Sequence, residues 1–298
     1  MLERYRGEII LLFVTISAAI GWFFSKYAID ALPSVGFIGL RFFLAALVFL
    51  PFAYVHLRRL NRQQVISAVL IGGVFAVFLG VWILAITNNT NFGEGAFLTS
   101  LSMLIAPLLA WIVFKQKPQS SFWLCLPIAV LGLYFLALGN NGFDLSSDNS
   151  LYLLTSLLAA SYFVLNHHYA RHIPVLPLTT IQLAMVGILC GLYSMFMETW
   201  PANVPNETWG WLAASVLIAT NFRFLLQTLG QKYSSVGNAA LIMLLEPVWT
   251  LFLSMIIFHE PLTPHKALGC GLIFIALIFY RLPKEKVKQF LRRKNAKK

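Results

Sequence analysis

Long apolar stretches separated by short polar connections dominate the chain. Each is about 17 to 25 residues, the length a helix needs to cross a hydrocarbon layer. Ten are readable: Ile9 to Ala28, Pro33 to Val55, Val65 to Thr87, Gly93 to Phe114, Phe122 to Leu138, Leu151 to Ala170, Leu176 to Phe196, Thr208 to Leu229, Ser235 to Phe258 and Lys266 to Tyr280. The expected fold is an all-α polytopic membrane protein with ten transmembrane helices. Apolar residues inside such spans are unremarkable, whereas polar ones need a reason, because hydrocarbon offers no solvent for them.

The ninth span supplies the sharpest case, with Glu246 near its middle. Asn238, Glu246 and Trp249 fall within about 80° of one another on a helical wheel, so one face is polar or aromatic while the rest is Leu, Ile, Met and Val. Pro247 follows the acid and removes a backbone hydrogen bond, which predicts a local opening. In the eighth span Thr220, Arg223, Gln227 and Gln231 form a stripe at i, i+3, i+7 and i+11. An arginine at mid-span costs at least about 2.5 to 3.5 kcal/mol against lipid, so this stripe is expected to face the bundle interior at a depth where Arg223 reaches Glu246. Two readings stand side by side: contact with a charged substrate or a coupling proton, or a fixed ion pair between spans. Arg41, about two turns below the outer surface, is expected to snorkel to the headgroups.

Aromatic and amide positions add a candidate lining. Thr15, Trp22, Ser25 and Lys26 share a face of the first span, and Thr155, Tyr162 and Asn166 share one of the sixth. With Trp82 and the region of Phe97, Ser100 and Met103 they suit an amphiphilic small molecule with a flat or apolar body and a polar end. The expected substrate-binding residues are Trp22, Trp82, Phe97, Ser100, Tyr162, Asn166, Arg223, Gln227, Asn238 and Glu246. Helix or lipid packing is the plain alternative for each ring.

A repeat runs through the pattern at an offset of about 140. Thr15, Trp22 and Pro107 are matched by Thr155, Tyr162 and Pro247, Lys26 meets Asn166, Ala106 meets Glu246, and FKQKP (Phe114 to Pro118) corresponds to FHEP (Phe258 to Pro261). This divides the chain into 1–140, 141–280 and a basic tail, 281–298. Five spans is an odd number, so the second copy enters the membrane upside down, giving a 5+5 inverted repeat of the kind that supports alternating access.

Composition agrees. The 298 residues are 59% hydrophobic and 11% charged, with mean hydropathy +0.76. All 22 lysines and arginines except Lys26, Arg41, Arg223 and Lys266 fall on one side if both termini are cytoplasmic. Trp123, Trp200, Trp209 and Trp211 lie near span ends as an aromatic belt does. The net charge of +11 is concentrated in short loops and the tail, which excludes nucleic acid and predicts anionic lipid as the tail's partner. The opening MLERYRGE followed by an uncleaved apolar run is read as a retained span, not a signal peptide. Cys125, Cys190 and Cys270 sit in apolar segments and offer neither a disulfide framework nor a CxxC site. His168 and His172 have metal-ligand spacing but no third partner, and no metal or cofactor is expected. GxSxG, P-loop, GxGxxG and HExxH signatures are absent, which argues against an enzyme or an ATP-driven pump. Gly187 and Gly191 form GxxxG in the seventh span.

Three segments carry a family resemblance: GWFFSKYAIDALP with LRFFLAAL, GEGAFLTSLSMLIAPLLAWIVFKQKP, and FLLQTLGQKYSSVGNAALIMLLEPVWTLFLSMIIFHEPLTPHKALGCGLIFIAL. The chain resembles the EamA family of the drug/metabolite transporter superfamily over roughly 9–138 and 151–280. That resemblance implies a ten-helix inner-membrane transporter with a central cavity, commonly an exporter of amino acids, amines or related metabolites. Gln116 stands where the family's first half often has Glu, and Arg223 stands at a position more usually apolar. The expectation is a secondary active transporter moving a small organic metabolite outward, an amino acid and an aromatic one first. An importer or exchanger of amines, nucleosides or sugar-linked metabolites is the alternative within transport, and a non-transport membrane scaffold is the alternative outside it.

Overall fold

The computed structural model describes residues 5–29, 31–88, 98–137, 150–257, 259 and 262–281. Ten helical bodies run through them: α1 (Arg6–Ile29), α2 (Ser34–Leu57), α3 (Arg62–Asn88), α4 (Leu98–Phe114), α5 (Ser120–Ala137), α6 (Ser150–Tyr169), α7 (Val175–Met197), α8 (Asn206–Tyr233), α9 (Val236–Ile257) and α10 (Pro264–Arg281). No strand occurs among the described residues. Each helix coincides with one expected span to within a few residues. α1, α2, α3, α7, α8 and α9 are long and apolar enough to cross a membrane, while α4, α5 and α10 are shorter apolar helices. In α6 the apolar pattern is diluted by Thr155, Ser156, Asn166 and His167, all buried. The basic tail beyond Arg281 and the expected start of the fourth span lie outside the described residues.

Apolar side chains cover both the inside and the outside of this bundle. Phe52, Leu70, Ile112 and Phe196 are more than 60% exposed, on helices whose other faces are buried. Water would not tolerate so continuous an apolar exterior, so the surround is lipid.

The helices pair through close seams at small residues. α2 and α7 run antiparallel, with Gly39 against the backbone of Gly191 and Gly187 against the backbone of Phe43. α5 and α10 do the same, Gly132 meeting Ile273 while Gly269 meets Leu136. α1 lies antiparallel on α8, with Gly7 on Tyr233 and Gly21 on Ala219. α9 packs against α1 and α4, and α3 against α6 and α7. If α1 to α5 are exchanged for α6 to α10, several of the main contacts correspond: α1·α8 with α6·α3, α1·α9 with α6·α4, and α2·α8 with α7·α3.

Local backbone repeats too. Pro33 before α2 and Pro174 before α7 share φ −56 and ψ 136, the extended geometry that proline's fixed φ allows before a helix. Lys115 and His259, which the repeat aligns, adopt φ 58 and 53 at the ends of α4 and α9, left-handed helix stops at residues other than glycine.

Besides a turn at Leu101 near the start of α4, two helices are interrupted near mid-length. α8 contains a π-helical segment, Leu217–Phe222. α9 breaks at Leu244 and Leu245, whose N–H groups donate to carbonyls only three residues back, so Glu246 begins a second segment, Glu246–Ile257. The opening expected at Pro247 is therefore found one turn earlier, which leaves Pro247 in the first turn of the new segment where its missing N–H costs nothing.

The seam predicts an asymmetry within GxxxG. A Cβ on Gly187 would lie 2.5 Å from the Phe43 nitrogen, whereas one on Gly191 meets nothing within 4 Å. Gly187→Ala should destabilise the detergent-solubilised protein by about 1 to 3 kcal/mol, the range for overpacking, and Gly191→Ala should leave the melting temperature unchanged in the same assay.

Candidate functional site

Glu246 enters the bundle as the first residue of a half-helix, where the unpaired N–H groups favour a carboxylate. Arg223 begins the α-helical continuation after the π segment of α8. Its Nη2 approaches Glu246 Oε2 at 3.2 Å and Oε1 at 3.4 Å, with the two side chains 21% and 19% exposed. Trp22 of α1 donates its indole N–H to Glu246 Oε1 at 3.2 Å, and Trp82 of α3 meets Trp22 edge to face at 5.3 Å. Four of the expected residues thus converge, two from helices before residue 140 and two from after it.

Within four residues of the pair along α8 and α9, three buried polar atoms have no partner among the described residues: Arg223 Nε, Gln227 Oε1 and Trp249 Nε1, the Trp249 ring also packing on the apolar cluster around Leu245 and Val248. Gln227 is one turn after Arg223, and Trp249 is one turn after Glu246. Trp249 was singled out by the helical wheel.

Tyr162 and Asn166 belong to a second, separately bonded layer. Asn166 Nδ2 donates to Gln231 Oε1 at 2.6 Å and Thr228 Oγ1 at 3.2 Å, and Asn166 Oδ1 accepts from Gln182 Nε2 at 2.8 Å. Tyr162 donates to Gln182 at 3.4 Å and stacks on Phe75 with centroids 4.0 Å apart. Gln231 lies on the same stripe as Arg223 and Gln227. Gln182 and Thr228 are the members that sequence reading missed: a lone glutamine in an otherwise apolar helix carries no spacing signal, and Thr228 lies off the stripe read in the eighth span.

Asn238 lies apart, donating to Glu8 Oε1 near the start of α1. It is eight residues from Glu246, about 12 Å along the helix. Ser100 is partly buried in the first turn of α4, and no bond joins it to the cluster among the described residues. Phe97 lies outside the described residues. His168 stacks on Phe114 at 4.0 Å, and no group of three metal-ligating side chains occurs among the described residues.

Arg41 overturns the snorkelling expectation. It is 8% exposed and turned inward, where its Nη2 donates to the Ala219 carbonyl at 2.9 Å, its Nη1 to Ser25 Oγ at 2.9 Å and its Nε to Thr220 Oγ1. The π segment explains this. Widening the turn displaces carbonyls from the ordinary ladder, Thr220 Oγ1 itself bonds the Ser215 carbonyl five residues back, and Arg41 caps what is presented. Asn221 donates from the same segment to the Ala45 carbonyl at 3.0 Å. The stripe read from sequence is therefore split, Thr220 serving Arg41 and Arg223 serving Glu246.

A cavity of about 310 Å³ opens at the far end of α1 and α8, lined by Tyr27, Ala31, Pro205, Glu207, Thr208 and Trp211. Tyr27 stacks on Trp211 there, with centroids 4.9 Å apart. Thr208 is fifteen residues before Arg223, roughly 22 Å along the helix, so this space is distinct from the ion pair.

The EamA-like transporter family matches the chain twice, over residues 5–138 and 149–282. An uncharacterized transporter of Archaeoglobus fulgidus is 29% identical over 261 residues, 86% of this chain and 80% of its own length. The uncharacterized transporter YoaV of Bacillus subtilis is 21% identical over 292 residues, 90% of this chain and 96% of its own. A solved crystal structure with 15% sequence identity superposes with a TM-score of 0.78 over 95% of this chain and 98% of that one, a likeness of fold alone.

Arg41→Lys keeps the charge and loses the planar fork that serves three acceptors. With hydrogen bonds to charged groups contributing about 1.5 to 3 kcal/mol each, the melting temperature in detergent should fall by several degrees. An unchanged melting temperature would show that the π segment does not depend on Arg41.

Proposed function

The chain belongs to the EamA-like transporter family, and from that premise we propose that it is a secondary active transporter carrying a small organic metabolite across the cytoplasmic membrane by alternating access. The observation that carries this reading is the Arg223–Glu246 pair, partly exposed inside the bundle and met by Trp22 and Trp82. A bundle held together by packing alone has no need of an ionic pair at that depth, since apolar residues of similar volume are often as stabilising. Where residues of both family-matched segments converge on such a pair, a substrate can bind between them and be released to either side.

The inverted 5+5 arrangement is part of the proposal. The exchange of helix contacts under a swap of halves, the antiparallel α2·α7 and α5·α10 pairs, and the matched backbone at Pro33 and Pro174 and at Lys115 and His259 all support it. Residues 1–140 and 141–280 are then the two copies, each giving one wall of the site. The lopsided placement of Lys and Arg supports cytoplasmic termini, with the basic tail, 281–298, against anionic lipid.

The indoles beside an ion pair favour an amino acid, aromatic ones first, and the resemblance of the sequence favours outward movement. Glu246 is the carboxylate proposed to carry a coupling proton, since it is the acidic side chain at mid-span among the described residues, and there it is paired with Arg223.

Two measurements test this. Glu246→Gln should lower transport in proteoliposomes at least about tenfold, the loss expected when a charged partner is removed, and wild-type rates across a range of pH would remove both the substrate-contact and the coupling roles. For topology, a thiol introduced by Asn203→Cys should label from outside intact cells and one introduced by Asn61→Cys should not; the reverse pattern would invert the assignment of sides.

A further inference from the structure

The Arg223–Glu246 pair is loosely made. One guanidinium nitrogen serves both carboxylate oxygens at 3.2 and 3.4 Å, longer than the 2.7 to 2.9 Å typical of charge-assisted bonds. Nε–H of the same fork is buried with no acceptor among the described residues, as is the indole N–H of Trp249 with its donor unused. Gln227, 4% exposed, offers a buried carbonyl oxygen with no donor. Unsatisfied buried groups are uncommon and ask for an explanation. Here they are two donors, a turn or less from the arginine or the acid, and one acceptor a turn from the arginine.

Donors suit a carboxylate and acceptors suit an ammonium. We propose that the site takes a zwitterion by exchange: the ligand's carboxylate replaces Glu246 on Arg223 and accepts from Trp249 Nε1, while its ammonium group is received by Glu246 and by Gln227 Oε1. Gln227 and Trp249 are then the specificity-determining residues of the site. This deepens the transporter reading and rests on it.

Charge counting favours a ligand with both charges. A lone cation would compete for Glu246 and strand Arg223, and a lone anion would strand Glu246; a zwitterion replaces one ion pair with two and leaves the net charge of the interior unchanged. Among the described side chains, α4, packed against α9, carries no charged group, α1 carries Arg6 and Glu8 in its first turn, at the Asn238 end, and Arg41 is held by the Ala219 carbonyl and Thr220 of α8 and by Ser25 of α1. Cys125 and Tyr280 from α5 and α10 pack in the apolar cluster around Leu244, Leu245 and Val248.

The test uses the full-length purified protein with L-phenylalanine, L-phenylalaninamide, which lacks the carboxylate, and N-acetyl-L-phenylalanine, which lacks the ammonium. Wild type should bind phenylalanine at least about tenfold more tightly than either derivative. Trp249→Phe, which keeps an aromatic ring and deletes the N–H, should weaken phenylalanine and N-acetylphenylalanine but leave the amide unchanged. Gln227→Met should weaken phenylalanine and the amide but spare the N-acetyl compound. Equal affinities for the three ligands in wild type overturn the proposal without reference to any variant, as does a uniform loss across ligands in Trp249→Phe. Transport of another solute class with no binding of phenylalanine or other α-amino acids defeats this inference while leaving the transporter reading intact. Failure of every solute class to move in proteoliposomes defeats that reading itself.

Discussion

A charge inside a hydrocarbon-bounded bundle must find its partners within the protein, and that requirement organises this structure more than any apolar contact does. Three charged side chains stand in the middle of the described bundle, and they are satisfied in two different ways. Arg41 has no carboxylate at hydrogen-bond distance among the described residues and is met by dipoles: the Ala219 carbonyl, Thr220 and Ser25. Two of those bonds, to Ala219 and Thr220, fall in the π segment of α8, so the segment and the arginine account for one another. Arg223 and Glu246 instead face each other across α8 and α9, at a break that frees the N-terminus of a half-helix for the acid. The first arrangement is closed and multiply bonded, the second open and incompletely bonded. The two arginines are therefore distinguishable by how completely their hydrogen bonds are made.

Period and length made the fold readable. All ten helices appear where apolar runs of membrane-spanning length stand, and the repeat at about 140 residues found Lys115 opposite His259, which share a left-handed backbone. What could not be read was the irregularity. A π turn leaves no mark on a wheel drawn at 100° per residue, so Thr220 seemed to share a face with Arg223 although its hydroxyl serves Arg41. Pro247 drew attention to the right turn of α9 but to the wrong bond, because proline is tolerated at the start of a helix and the break falls before it.

The candidate cluster was partly legible for the same reason. Glu246, Arg223, Trp22 and Trp82 were found by asking which side chains a lipid environment could not accept, a question sequence answers well. Asn238, Tyr162 and Asn166 passed that test and yet lie in other clusters, since a helical face fixes direction but not depth relative to a neighbouring helix. Arg41 failed through an assumption about length: snorkelling is open to an arginine near a span end only if its face points to lipid, and Gly21, packed on Ala219, brings α1 and α8 close enough to α2 to draw it inward.

The two halves match in backbone and differ in charge. Ala106 occupies the place of Glu246 and is fully buried in an apolar cluster, so the acid has no counterpart in the first copy. If the two copies exchange arrangements as proposed, several seams have an equivalent seam to form in the other, and a charged pair confined to one half makes the two arrangements unequal, because its electrostatic energy depends on how far α8 and α9 open to water. On that reading, whatever replaces or neutralises the Arg223–Glu246 contact changes the balance between them, and movement depends on what is bound.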